Sequence, residues 1–312
     1  MHTSRPDLPD LLDLSALSVQ TILDARARLG EGPVWDAVTQ TLFWVDVYNH
    51  RIHQFDPAIG RDRYFDTGEV VGALAPAGPD RLIIARQSTL AYFHTQTGDI
   101  QPLVSLDFPS PSDTRCNDGK CDPQGRFWIG TCSGTPGAAA LYRYDPDGTV
   151  QTMETGLTIA NGLGWSPDGL TFYLTDSAAH TIYAYDFEPA SGAIGRRRVL
   201  IDLGAEAVEP DGLTIDSQGN LWAALWGGWA IACFAPTGQE RGRLKMPVPR
   251  STSLTFGGPN LTDLYITSAS VDMTQTELQA CHIAGDLFHL SSPVTGLPTN
   301  SFGISGRDRL EP

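Results

Sequence analysis

Positive charge is scarce in this chain. Lys and Arg total 21 against 36 Asp and Glu, a formal net charge of −15. That balance argues against nucleic acid and anionic membrane surfaces as partners. It would help to concentrate a divalent cation, though acidity also simply aids solubility. No stretch approaches the roughly 20 apolar residues that span a bilayer. The opening residues are Pro- and Asp-rich and lack the basic start and apolar run of a secretory signal. The five cysteines are an odd number without CxxC spacing, which suits a reducing cytoplasm and gives no zinc-finger signal. Sustained helical periodicity is missing, apart from one short helix expected over 274–280. No glycine-rich phosphate loop follows a strand and opens a helix. His50, His53, His94, His180, His282 and His289 fall in second-strand ends, outer strands or late loops, so no Ser-His-Asp or Cys-His arrangement is supported.

What is present is a repeat. Residues 209–226 read EPDGLTIDSQGNLWAALW: a head, an alternating strand, a turn and a second strand. Ser217-Gln218-Gly219-Asn220 is turn chemistry. A lone hairpin cannot bury its faces, so it should stack beside copies of itself. Copies open at Glu31-Gly32, Asn117-Asp118-Gly119 and Asn161-Gly162, with weaker ones near Gly72-Ala73-Leu74 and Ser253-Leu254-Thr255. Six units recur at roughly 40–50 residues, the period of a β-propeller blade. The expected fold is therefore all-β, a six-bladed propeller over 18–312, preceded by a flexible arm over 1–17. The strand at 18–25 precedes the first head, so in a closed ring it belongs to the last blade or caps it.

In a propeller the first strand of each blade lines the central channel, and all such strands run the same way. Glu31, Asn117, Asn161 and Asp211 hold matching positions in their repeats and should gather at one mouth. Two carboxylates with amide oxygens, and no Cys or His, describe a hard-cation site. Crowded carboxylates repel, and a bound cation compensates. Singly, each is equally well a turn residue, since Asp and Asn before Gly are common in turns. Arg115 precedes Asn117 by two and shares its side in extended backbone, where it could orient an oxygenated ligand or pair with an acid. Asp118 is expected to point the other way, toward backbone or a neighbouring blade. Trp226 and Trp229 could wall a sugar-sized pocket or serve as core aromatics. Cys116 reads as packing, not as a nucleophile.

LGEGPVW at 29–35, RCNDGKCDPQGRFWIGT at 115–131, IANGLGWSPDGLTFYLTDS at 159–177 and EPDGLTIDSQGNLWAALWGG at 209–228 together resemble the senescence marker protein/gluconolactonase/luciferin-regenerating enzyme family, the regucalcin-like propellers. The resemblance runs from about 29 to 303. It implies a six-bladed propeller with one divalent cation in its channel, Ca²⁺ first, with Mg²⁺, Mn²⁺ or Zn²⁺ also able to occupy such a site. By position, Glu31, Asn161 and Asp211 resemble the direct metal ligands. Asn117 resembles a residue near the metal that also contacts substrate, and Arg115 its substrate-orienting partner. The implied activity is hydrolysis of sugar lactones, with Asp211 as general base. Some relatives hydrolyse organophosphates, so phosphotriester hydrolysis on the same metal site is the alternative, and a non-enzymatic calcium-binding or docking propeller is a further one. The third-blade loop departs from the family: 132–140 is short and lacks any carboxylate, where several relatives carry a longer lid with a Glu. A small-molecule sugar lactone is the expected partner, in a cytoplasmic monomer or weak homo-oligomer.

Overall fold

A computed structural model describes residues 12–14, 16–108 and 113–304. The expected six-bladed propeller is present: six four-stranded antiparallel sheets, one per repeat. Their inner strands are Gly30–Asp36, Val71–Pro76, Arg115–Cys121, Ala160–Trp165, Glu209–Ile215 and Ser251–Gly257. The N-terminal strand Gln20–Leu23 pairs with Leu287–Ser291 and completes the last blade. Closure thus joins an early and a late strand in one sheet and gives the last blade its fourth strand.

Local chemistry explains the repeats. In blade five the Asp216 carboxylate accepts from the Gln218 and Asn220 amides and from Trp222 Nε1 at 3.0 Å. In blade three Asp122 accepts from the Gln124 and Arg126 amides and from Trp128 Nε1 at 3.0 Å. Each buried acid therefore ties its turn to the Trp of the next strand, which satisfies the indole donor inside the core. Between blades three and four Trp128 packs against Trp165, Phe172 and Phe187.

All six inner strands carry a bulge or register shift just past the head, at Glu31/Val34, Val71/Ala73, Cys116/Gly119, Asn161/Leu163, Pro210/Leu213 and Ser251/Leu254. The heads are thus not turns before the strands; they lie inside them. A bulge re-aims a side chain that strict alternation would place elsewhere.

The short helix forms at Gln275–Ala280 with a complete Thr274–Glu277 capping box. Most of the arm expected over 1–17 lies outside the described residues. Its described part is not free: the Leu12 amide donates to Arg241 O, and Leu14 is buried in the core cluster beside Trp222. At the other end of the chain, 292–304 crosses from blade six toward blades two and three. It bonds Thr262, Ser217, Pro76 and Gly125 on the way, and Phe302 stacks on Tyr144.

Candidate active site

Glu31, Arg115, Asn117, Asn161 and Asp211 all line one cavity of about 360 Å³ at the mouth where the inner strands begin. They come from four blades and are brought together only by ring closure. Small residues allow this convergence. A Cβ on Gly162 would meet Asp211 O and, at 2.6 Å, Leu213 N; one on Gly72 would sit 2.6 Å from Cys116 O; one on Gly212 would strike Ser253. None of these three has a positive φ. Glycine is needed here for space between adjacent backbones. Gly162→Ala is therefore expected to cost about 1–3 kcal/mol in chemical denaturation by overpacking. Gly195→Ala, where nothing lies within 4 Å, should be close to neutral. Equal effects of the two would contradict the close approach.

The five side chains divide by how their polar atoms are engaged. Arg115 Nη1 donates to Asn117 Oδ1 at 2.9 Å and to Cys116 O at 2.9 Å. Asn117 Nδ2 donates to Ala160 O at 3.1 Å. Both polar ends of Asn117 are thus occupied. Asn161 differs. Its Nδ2 donates to Ser177 Oγ at 3.1 Å and to Asp211 Oδ1, while its Oδ1 is buried without a partner. Ser177 Oγ in turn donates to Pro210 O at 2.7 Å, which fixes the amide. Glu31 accepts from the Gly32 amide through Oε2 at 3.1 Å. Asp211 Oδ2 has no hydrogen bond among the described residues.

The electrostatics match this geometry. Burial, then the charge of Asp118, pushes the Glu31 carboxyl up to about 8. Burial, then Glu31 and Asp118, pushes Asp211 well above the usual carboxylate range. Two acids crowded in a dry channel resist joint ionisation. An unpartnered amide oxygen beside them is what a hard cation would satisfy.

Tyr48 and Asp113, which the sequence reading did not single out, also line the cavity. Asp118 does bond its neighbouring backbone, accepting from the Gly119 amide at 2.7 Å. It does not line the cavity, though it lies near enough for its charge to raise Glu31 and Asp211. Tyr48 lines the cavity 37% exposed, with the Arg115 guanidinium 5.7 Å over its ring. Asp113 also lines it and accepts from Ser133 Oγ at 3.2 Å and the Gly134 amide at 2.9 Å. The short third-blade loop carries no carboxylate of its own, but Asp113 supplies one beside it. No repeat signal could have found Tyr48 or Asp113, because both lie outside the heads. Trp226 walls the cavity, whereas Trp229 is 46% exposed and stands apart from it. Cys116 is fully buried with its thiol pushed up to about 12 by burial, consistent with packing. No histidine lines the cavity.

A six-bladed propeller whose channel mouth gathers two buried carboxylates, two amides and an arginine defines a class of protein built to hold a small polar ligand on its axis. A profile described as the SMP-30/gluconolactonase/LRE-like region matches residues 29–270, and the chain belongs to that family. It is 35% identical to the pentonolactonase XacC of Haloferax volcanii, over 90% of this chain and 97% of that protein. It is 32% identical to the regucalcin of Danio rerio, over 93% and 99%. Among solved structures it resembles one described as a calcium-binding protein, regucalcin, from Agrobacterium tumefaciens, with a TM-score of 0.88 and 27% identity over 92% of this chain and 98% of that one. Lactone hydrolysis is thus the activity named among its relatives. No helix of the described residues is long and apolar enough to cross a membrane.

Proposed function

We propose that this protein is a divalent-cation-dependent hydrolase of sugar lactones, acting at the mouth that holds Glu31, Asn161 and Asp211. The observation that carries the reading is the unpartnered Asn161 Oδ1 beside two carboxylates whose ionisation the fold resists. Glu31, Asn161 and Asp211 would hold the cation; Asn117 would not, because its oxygen already accepts from Arg115. All-oxygen donors favour Ca²⁺, Mg²⁺ or Mn²⁺, and Ca²⁺ comes first because a relative is named for binding it. When bound, the cation would polarise the lactone carbonyl and stabilise the negative charge that develops on its oxygen.

The chain's own residues supply the rest. Asp211, with Oδ1 held by Asn161, has Oδ2 available to take a proton from the attacking water. The same carboxyl can return that proton to the leaving ring oxygen. Arg115, braced by Asn117 and lying over Tyr48, retains guanidinium donors for substrate hydroxyls. Trp226 offers an apolar face to the sugar ring.

The direct test is a panel of pentono- and hexonolactones, with a phosphotriester beside them, each assayed after chelation and again with Ca²⁺, Mg²⁺, Mn²⁺ or Zn²⁺ restored. Hydrolysis of at least one lactone, lost on chelation and regained with a cation, is expected. Turnover of the phosphotriester alone would move the assignment to phosphotriester hydrolysis. No metal-dependent turnover of either would favour a binding propeller without catalysis.

A further inference from the structure

The channel has a second end. A cavity of about 340 Å³ lies at the opposite mouth, where the inner strands finish, and it shares no lining residue with the candidate active site. Val34, Leu74, Trp165 and Ile215 wall it from four blades. The crossing segment covers one side through Leu297, Pro298, Thr299 and Asn300. Asn300 is held there by donating to Cys121 O at 3.2 Å. In a chain of net charge −15 this cavity contains no carboxylate, and Lys120 is the charged side chain that lines it.

Lys120 is incompletely compensated. Its ammonium donates to Leu213 O at 2.9 Å. An ammonium has three N–H donors, and among the described residues Lys120 forms no ion pair. Asp118, two residues earlier, is near enough to favour its charge, but burial outweighs that help and holds the group below the ordinary lysine range. With N–H donors to spare in a cavity walled on four blades by apolar side chains, the ammonium form would be stabilised by an anion.

We propose that the far mouth is a binding site for a small monocarboxylate with an apolar body, its carboxylate on Lys120 and its body against Val34, Leu74, Trp165, Ile215 and Leu297. The shape of the charge selects the ligand. A phosphate dianion would bring two charges to one cation among apolar walls. A sugar acid would bring hydroxyls to compete for Ser166, Thr255 and Asn300, which already donate within the protein. One carboxylate on an aliphatic or aromatic frame leaves neither excess. This site is independent of the lactonase reading.

The test is methyl NMR on the wild-type protein with Ca²⁺ present, titrated with octanoate and benzoate and, in parallel, with 1-octanol and benzyl alcohol. Saturable shifts are expected at the Val34, Leu74, Ile215 and Leu297 methyls, with each alcohol at least about tenfold weaker than its acid, the scale of a charge-assisted hydrogen bond. Lys120→Met should remove that difference by weakening the acids alone, while Arg115→Met should leave the acids' binding unchanged. Equal affinity for acid and alcohol in the wild-type protein would overturn the proposal even if Lys120→Met failed to fold. So would an absence of saturable shifts at these methyls, or binding lost with Arg115→Met.

Discussion

Asp211→Asn is expected to lower lactone turnover by about 10²–10⁴-fold, the range supplied by a positioned general base. The substitution keeps the size of the side chain and leaves an oxygen to accept from Asn161 Nδ2, so the fold should persist. It removes the proton acceptor. The same carboxylate is also a proposed cation donor, so the assay needs saturating cation and a separate cation titration. Loss of kcat at saturation, together with loss of the acid limb of the pH–rate profile, assigns the base. Wild-type kcat at saturating cation would exclude Asp211 from proton transfer.

Glu31→Gln should reverse the order of thermal stability according to whether cation is present. In the cation-free protein the Glu31 carboxyl is raised from 4.5 to about 8. A carboxyl raised by folding contributes most stability while protonated, below the unfolded value near 4.5. That contribution is lost as pH climbs through the folded value. The chelated wild type should therefore lose stability between about pH 4.5 and 8, on the order of a few kcal/mol by linkage. Glutamine is neutral throughout and can still accept from the Gly32 amide. The chelated variant should then melt above the chelated wild type at pH 8 and near it at pH 5. With saturating cation the order inverts, because binding stabilises the wild type by mass action and the variant has lost a charged donor. Melting curves at both pH values, with and without cation, read the effect directly. The same order under every condition would remove Glu31 from the cation's donors.

Much of the architecture is legible along the chain. The period of the heads, the turn at 217–220 and the early strand that precedes the first head all follow from local pattern. The four head residues, too, can be matched by position alone. Asn117 and Asn161 show where such reading stops. They are equivalent by repeat position, but one carbonyl oxygen is taken by Arg115 and the other is left bare.

The amino-acid sequence by itself determined the number of blades and which head acids and amides gather at one mouth, because those depend on spacing and on turn chemistry within each repeat. Which oxygens stay free, how Tyr48 and Asp113 come to line the mouth, and how Lys120 comes to stand in a cavity without an acid were decided only by tertiary structure. Those outcomes depend on groups that meet across the ring, and no stretch of one blade encodes what its neighbour will place beside it.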